Sequence, residues 1–272
     1  MARGKHKKKM AQDHIRGTLL TLVGLALLIG LGAAAWWVQN HSPQIDSVTN
    51  CPAKGPLSVH LVIIDRSDPI SGQQAQRVRQ VLNALKSEAL VGTRFDIYTF
   101  EGNSDDQLDP ILKVCAPGKP EDAQALYENP EFVRRTYEQR FSAVLDGVVD
   151  QLLTASTRPN SPIIETLKAA AQTSFGDMPS GANARVTLIS DMVQHSDAAS
   201  QFRDLADFAQ LSRSSTWPSL QPRLRGAQVD ILYLIRPSAL RGRIPIQNRG
   251  HQAFWEQLIS ASGGQLHSIE PI

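Results

Sequence analysis

The chain has 272 residues and a formal net charge of only +2. Proteins that bind nucleic acid usually carry an extended basic face, whereas here the densest run of basic residues is the short arm at residues 3–9. That arm could bind nucleic acid by itself, but a basic run beside an apolar segment is more typical of a membrane topology signal. We therefore expect no nucleic-acid partner. The roughly 230 residues that follow suit one large α/β domain better than two small ones.

An apolar segment follows the basic arm. No side chain between Arg16 and Asp46 is charged when His41 is neutral. Residues 18–38 are apolar enough and long enough to cross a hydrocarbon core of about 30 Å. The sequence therefore predicts one transmembrane helix over 18–38.

The residues that flank this segment predict its orientation. Residues 1–17 are basic, which favours a cytoplasmic N-terminus, and Trp36 and Trp37 suit the opposite interface. The remainder of the chain would then lie outside the cytoplasm. A cleavable signal peptide is the alternative, because residues 32–35 are small, although the apolar span exceeds the usual signal core of ~7–15 residues.

Residues 39–56 are rich in proline and glycine, which predicts a short tether before a domain at 57–272. The chain contains two cysteines, Cys51 and Cys115, and neither lies in a spacing that would hold zinc. In an oxidising compartment the two could form a disulfide. Two unpaired buried thiols are the alternative.

Apolar periodicity beyond the tether predicts strands that alternate with helices. The predicted strands cover 58–64, 94–100, 111–114, 185–190, 229–235 and 265–269. The predicted helices cover 73–90, 163–173, 198–211 and 251–259, with a further long helix that has Tyr137, Phe141, Val144, Val148 and Leu152 in register. The second and third strands could pair as a hairpin. Alternation of this kind predicts a doubly wound, mostly parallel sheet flanked by helices.

Polar residues follow two of these strands at the point where each strand ends. The first strand runs into Asp65, Ser67 and Asp68, and the fourth runs into Asp191. Ser161 opens the helix between them. Parallel sheets place ligands outside the carboxyl ends of their strands, and carboxylate and hydroxyl oxygens are ligands for hard divalent cations. The sequence therefore predicts one cation site that gathers these loops.

Several of these residues also have a structural interpretation. Asp65 could cap the turn after its strand, and Ser161, which precedes a proline, could be the N-cap of the following helix. Ser71 with Gln74 three residues later has the form of a capping box, so capping is its expected role. His195 stands alone in a polar loop and is expected to be solvated.

The motifs of common hydrolases are missing from the sequence. It contains no Gly-x-Ser-x-Gly elbow, no phosphate-binding Gly-x-x-x-x-Gly-Lys loop and no His-Glu-x-x-His pair. The polar residues therefore indicate a ligand site, and we expect that the protein is not an enzyme. A metal-dependent hydrolase that uses the same carboxylates is an alternative.

These residues together resemble the von Willebrand factor A domain family over about residues 57–270. That family has a doubly wound α/β fold and a metal-ion-dependent adhesion site. The site uses an Asp-x-Ser-x-Ser motif after the first strand, a Thr of a later loop and an Asp after the fourth strand. Asp65 and Ser67 match the first two positions. Ser161 falls where the Thr is expected, and Asp191 resembles the final Asp.

Two further features bear on this resemblance. Pro69 replaces the second Ser of the motif and has no side-chain oxygen, so water or Ser71 would have to complete six-fold coordination. The segment from Phe254 to Gly264 is similar to the last helix and turn of many bacterial members.

The resemblance implies adhesion rather than catalysis. In the family, a carboxylate of a partner protein completes the coordination of the metal, and Mg²⁺ or Mn²⁺ suits a site with few carboxylates and retained waters. We therefore expect a single-pass bacterial inner-membrane protein whose periplasmic domain binds a protein partner. A metal-free structural subunit of a membrane complex is the alternative.

Overall fold

The computed structural model describes residues 3–41, 44–99, 108–122, 129–154, 160–203, 205 and 207–272. The chain divides into two units, Met1–Gln44 and Ile45–Ile272. The first unit contains helix α1, Arg3–His41. Within it, Gly17–Trp37 has a mean hydropathy of 2.2 and is by length and composition a candidate membrane span. This confirms the predicted apolar helix, although α1 also runs through part of the predicted basic arm and the start of the predicted tether.

The second unit is built around a six-stranded sheet. Its strands are β1 Ser58–Ile64, β2 Thr93–Thr99, β3 Leu112–Cys115, β4 Asn183–Ser190, β5 Gln228–Tyr233 and β8 Gln265–Pro271, while β6 Leu240–Arg241 and β7 Ile244–Pro245 form a separate hairpin. The order is β3-β2-β1-β4-β5-β8. All neighbours are parallel except β2 and β3, which pair as the predicted hairpin. The predicted mostly parallel α/β architecture is confirmed.

Helices cover both faces of this sheet. They are α2 Gly72–Glu88, α3 Pro130–Tyr137, α4 Ala143–Leu152, α5 Ile163–Gly176, α6 Phe208–Ser212, α7 Trp217–Leu220 and α8 Arg249–Ala261, with a 3₁₀ turn at Pro120–Asp122 and a π turn at Glu138–Ser142. Alternate residues of β1 point to opposite faces. Leu61 belongs to the same buried cluster as Leu167 of α5, whereas Val62 belongs to the cluster that contains Val78 of α2. Burial on both faces explains the continuous apolar run from Leu61 to Ile64 in β1.

The predicted helix over 198–211 is wrong, because among the described residues of this segment only the last ones belong to a helix, α6. The Gln201 N–H donates to the carbonyl of Gln194 at 2.9 Å, and the carbonyl of Ser200 accepts from the Leu205 N–H at 3.0 Å. The first of these bonds reaches the preceding loop and the second spans five residues, so neither belongs to the four-residue ladder of an α-helix.

The predicted long helix is present as α3, the π turn and α4, but its buried face differs from the prediction. Phe141, Leu145, Val149 and Leu152 are buried, whereas Val144 is 38% exposed. A π turn holds more residues per turn than an α-helix. The face that follows it is therefore rotated relative to an uninterrupted α-helical stripe.

The segment before β1 is tied to the domain. Ile45 and Pro52 pair in an isolated antiparallel bridge, and Cys51 forms a disulfide with Cys115 at the end of β3, with a Cα–Cα distance of 4.8 Å. The Cys115 N–H donates to the carbonyl of Thr49 at 2.8 Å. The predicted disulfide is confirmed, and the later part of the predicted tether belongs to the folded unit.

Replacing Cys51 and Cys115 together by serine should lower the free energy of unfolding by about 4 kcal/mol. The disulfide spans a sequence separation of 64 residues, and the chain-entropy model gives that value for a closed loop of this size. Denaturant titration of the full chain in detergent measures the loss, and reduced wild-type protein is the matched control. Equal stability of the variant and the oxidised wild type would contradict the prediction.

Candidate functional site

The carboxyl edge of the sheet carries two buried acidic side chains. Asp65 directly follows β1 and Asp191 directly follows β4. These strands are parallel neighbours, with Ile64 paired to Ile189 at their ends. Asp65 and Asp191 are only 3% and 5% exposed. The register of two adjacent strands therefore brings both carboxylates to one edge of the sheet.

Three serines from separate segments surround the Asp65 carboxylate. Ser190 Oγ donates to Asp65 Oδ2 at 2.7 Å, and Ser161 Oγ donates to the same oxygen at 3.2 Å. The Ser67 N–H donates to Oδ1 at 2.8 Å. All three serines are buried. Loops that follow β1 and precede α5 thus meet the end of β4 at a single carboxylate.

The loop after β4 has an unusual backbone. Met192 has a φ of 61°, in the left-handed region that residues with a Cβ rarely adopt. Its N–H donates to Ser190 Oγ at 2.7 Å, and the Val193 N–H donates to Asp191 Oδ1 at 2.8 Å. The second bond orients the Asp191 side chain, and both bonds shape the loop around it.

A buried network beneath this loop holds the carbonyl of Met192. Trp255 Nε1 donates to that oxygen at 2.8 Å, and His251 Nε2 lies 3.0 Å from it. A carbonyl only accepts, so His251 carries its proton on Nε2 and accepts from the Tyr233 hydroxyl on Nδ1. Burial lowers the pKa of His251 to about 4, so the imidazole is neutral at neutral pH.

The same loop is fixed to the start of α5. Ser161 and His195 exchange two backbone hydrogen bonds, each of 2.9 Å. The fully buried Gln194 accepts from the Ile164 N–H through its Oε1 at 2.9 Å. The positions of Ser161 and Asp191 are therefore coupled through backbone contacts as well as through Asp65.

Several expectations for individual residues are corrected or confirmed by these contacts. Ser161 is not the N-cap of α5, because Pro162 holds that position and the Ser161 side chain bonds to Asp65 instead. His195 is only half-buried and bonds through Nδ1 to the Ser200 hydroxyl at 2.8 Å, so it is not simply solvated. The capping box of Ser71 at the start of α2 is confirmed.

Ser190, which makes the shortest hydrogen bond to the Asp65 carboxylate, has no role among the residues predicted from sequence. A hydroxyl residue directly before an aspartate at the end of a buried strand is the signal that could have revealed it. Asp68, by contrast, is exposed, as is Pro69. The structure thus gathers Asp65, Ser67, Ser161 and Asp191 with one additional hydroxyl.

The two carboxyls are electrostatically linked. Burial raises the pKa of Asp65, against the opposing effect of its hydrogen bonds from Ser190 and Ser67. Burial, and then the charge of Asp65, raises the pKa of Asp191 to about 7, while Arg236 acts in the opposite direction. Two full negative charges are therefore unfavourable at this edge unless a cation neutralises them.

The side chains at this edge include the oxygen donors that Mg²⁺ and Mn²⁺ commonly bind. Mg²⁺ prefers oxygen ligands and is usually held by one or two carboxylates with several retained waters. Asp65 and Asp191 supply two carboxylates, and Ser67 and Ser161 supply neutral hydroxyls. Within the described ranges, no group of three or more His, Cys, Asp or Glu side chains could hold a metal ion. Any cation at this edge would therefore depend on hydroxyls or water beside the two carboxylates.

A comparison of the chain with family models and with curated protein sequences finds no match.

Replacing Asp191 with Asn should stabilise the metal-free protein more at pH 8 than at pH 5. The folded carboxyl has a pKa of about 7 against an ordinary value of 3.8, so the folded state binds the extra proton within this window. Its contribution to stability is present at low pH and falls as pH rises towards and through 7. The gain in Tm of the variant over wild type should therefore be several degrees larger at pH 8 than at pH 5, since 1 kcal/mol shifts Tm by about 2–4 °C for a domain of this size.

Thermal melts of the full chain in chelator at both pH values measure this difference. Asp150→Asn is the matched control, because Asp150 is an exposed carboxylate paired with Arg79 away from the site. Its effect should be the same at both pH values. A pH-independent effect of Asp191→Asn would show that neither burial nor the charge of Asp65 raises the pKa of Asp191.

Proposed function

We propose that this chain is a membrane-anchored, von Willebrand A-like domain that faces the periplasm of a bacterium and binds a protein partner through a divalent cation. The proposed ligands are Asp65, Ser67, Ser161 and Asp191, and the proposed ion is Mg²⁺ or Mn²⁺. The observation that carries the proposal is the meeting of two buried carboxylates with buried serine hydroxyls at the carboxyl edge of a parallel sheet.

Each residue of the site has a separate role in this proposal. Asp65 and Asp191 supply the negative charge that attracts a cation, and Ser67 and Ser161 supply neutral oxygens. Ser190 orients Asp65 through its 2.7 Å hydrogen bond. When bound, the cation offers a coordination position that an acidic side chain of a partner can complete. No bond of the partner is broken, which agrees with the missing hydrolase motifs.

The proposed location draws on two features outside the site. The span Gly17–Trp37 is apolar and long enough to cross a membrane, and basic residues precede it, as expected for a cytoplasmic N-terminus. The disulfide between Cys51 and Cys115 is typical of proteins in oxidising compartments such as the bacterial periplasm.

A second candidate is a metal-free structural subunit of a membrane complex. Asp65 Oδ2 already accepts two hydroxyl hydrogen bonds, from Ser161 and Ser190, so part of the carboxylate is satisfied without a cation. Pro69 also removes one expected ligand. Under this alternative the domain would bind its partner equally well in the presence of a chelator.

Mg²⁺ or Mn²⁺ should bind the full chain in detergent weakly and in competition with protons. Asp191 has a raised pKa of about 7, so a cation must displace a proton below that pH, and its affinity should rise from pH 6 to pH 8. Isothermal titration calorimetry in buffers of different ionisation enthalpy measures both the affinity and the released proton. Asp65→Ala and Asp191→Ala should abolish binding and metal-dependent thermal stabilisation together.

Asp150→Asn again serves as the control and should bind like wild type. Partner capture from solubilised membranes, with and without a chelator, distinguishes the two candidates. If the wild-type chain binds neither ion and capture survives chelation, the cation mechanism is wrong and the structural-subunit function replaces it.

A reporter fused after Ile272 should be exported. A phosphatase that needs disulfides for activity should be active there, and a fluorescent protein that folds only in the cytoplasm should be dark, because the basic residues before the apolar span retain the N-terminus inside. The same reporters inserted after Arg16 should give the opposite pattern. An active fluorescent protein at the C-terminus would refute the periplasmic location.

A further inference from the structure

A group of exposed aliphatic side chains lies at the amino edge of the sheet. We call it the basal patch, and its members are between 54% and 88% exposed: Ile45, Val48, Leu57, Leu90 and Val91. Single exposed aliphatic residues are common on soluble proteins, whereas a contiguous cluster marks a binding surface for protein or membrane.

Backbone contacts make the patch contiguous. Leu57 and Gly92 are joined by a hydrogen bond from the Leu57 N–H to the Gly92 carbonyl at 3.2 Å. A Cβ built on Gly92 would lie 3.4 Å from Leu57 Cγ and 3.7 Å from Pro52 Cγ. Pro52 in turn pairs with Ile45. The turn that carries Ile45 and Val48 therefore packs beside the turn that carries Leu90 and Val91.

The patch is also held firmly by the domain. The Gly92 N–H donates to the Ala116 carbonyl at 2.9 Å, and the adjacent Cys115 is bonded to Cys51. Gly92 has a φ of 80°, a conformation that glycine adopts at little cost. These constraints keep the two turns together, so the apolar side chains form a defined surface of the domain.

Covalent distance favours lipid as the occupant of this surface. Ile45 follows Trp37, the last residue of the apolar span, by only eight residues. Even fully extended, those residues reach at most about 28 Å. If α1 spans the bilayer, the patch is therefore always close to the membrane surface.

The size of the patch argues against a second protein as its main occupant. A standard protein interface uses about 20–30 residues on each side, whereas the basal patch has five apolar side chains. A few aliphatic side chains that enter the boundary between headgroups and acyl chains are typical of proteins that lie on a membrane.

We propose that the basal patch rests on the membrane surface from which α1 emerges. This inference depends on the membrane anchoring in the proposed function, but not on the cation site. β1 begins directly after Leu57 and ends directly before Asp65, a rise of more than 20 Å along the strand. With the patch on the lipid, the Asp65 edge of the sheet faces away from the membrane and is accessible to a partner.

The test uses the full chain with labelled Ile, Leu and Val methyl groups, one chain per lipid nanodisc, and nitroxide-labelled lipid headgroups. Methyl signals of the basal patch should lose most of their intensity by paramagnetic relaxation. Leu240 and Ile244 are exposed residues of the β6–β7 hairpin. Gln247, two residues after the hairpin, bonds to the Asp191 carbonyl at the opposite edge. The methyl signals of Leu240 and Ile244 should therefore stay intact.

A double variant, Leu90→Ser with Val91→Ser, should reduce the loss of signal at Ile45, Val48 and Leu57. Both positions are exposed, so the variant keeps the buried core. The matched control, Leu240→Ser with Ile244→Ser, should leave the patch signals as in wild type.

Three results would overturn the proposal: no loss at the patch, equal losses at the patch and at the β6–β7 hairpin, or patch signals that stay intact in larger discs that hold two chains. The last result would identify a second copy as the occupant. Asp65→Ala should leave the loss of methyl signal at the basal patch unchanged. Failure of the proposed cation site can therefore be distinguished from failure of the membrane contact. A chain that does not enter nanodiscs at all would refute the anchoring itself.

Discussion

The second unit depends most on one electrostatic constraint, the close approach of two buried carboxylates at the ends of β1 and β4. Each is almost fully removed from water, and the negative charge of Asp65 disfavours ionisation of Asp191. Such an arrangement is unfavourable unless hydrogen bonds, protons or a cation compensate it. The serine hydroxyls around Asp65 supply the hydrogen bonds. They leave the charge itself to be balanced, which is why a cation site is the function that these residues best support.

The loop that carries Asp191 shows how the fold maintains this arrangement. Met192 occupies a left-handed conformation that costs roughly 1–2 kcal/mol for a residue with a Cβ. Its side chain is fully buried, and its carbonyl receives hydrogen bonds from Trp255 and His251 of α8. Burial and hydrogen bonding offset the backbone cost. The loop is therefore held in one conformation, and the Asp191 side chain keeps its direction without a flexible glycine beside it.

The sheet gives the domain two chemically different ends. Its carboxyl edge is polar and contains the paired carboxylates, whereas its amino edge has the disulfide of Cys51 and the exposed aliphatic side chains around Gly92. A parallel sheet produces this separation directly, because all of its parallel strands begin at one edge and end at the other. A domain attached to a membrane through residues before β1 would thus present the loops around Asp65 and Asp191 on the far side.

The sequence by itself determined the elements with strong apolar periodicity, from the N-terminal helix to strands such as β1, and it located Asp65 and Asp191 at strand ends. It also indicated the disulfide. Tertiary structure alone decided the rest. Ser190 donates a hydrogen bond to Asp65 only because the register of β1 and β4 places the two residues side by side. The π turn at Glu138–Ser142 changed which face of α4 is buried. Ser161 is not the N-cap of α5, because Pro162 holds that position, and its hydroxyl donates to the buried Asp65 carboxylate instead. Such choices depend on contacts between residues far apart in the chain, which local sequence patterns do not encode.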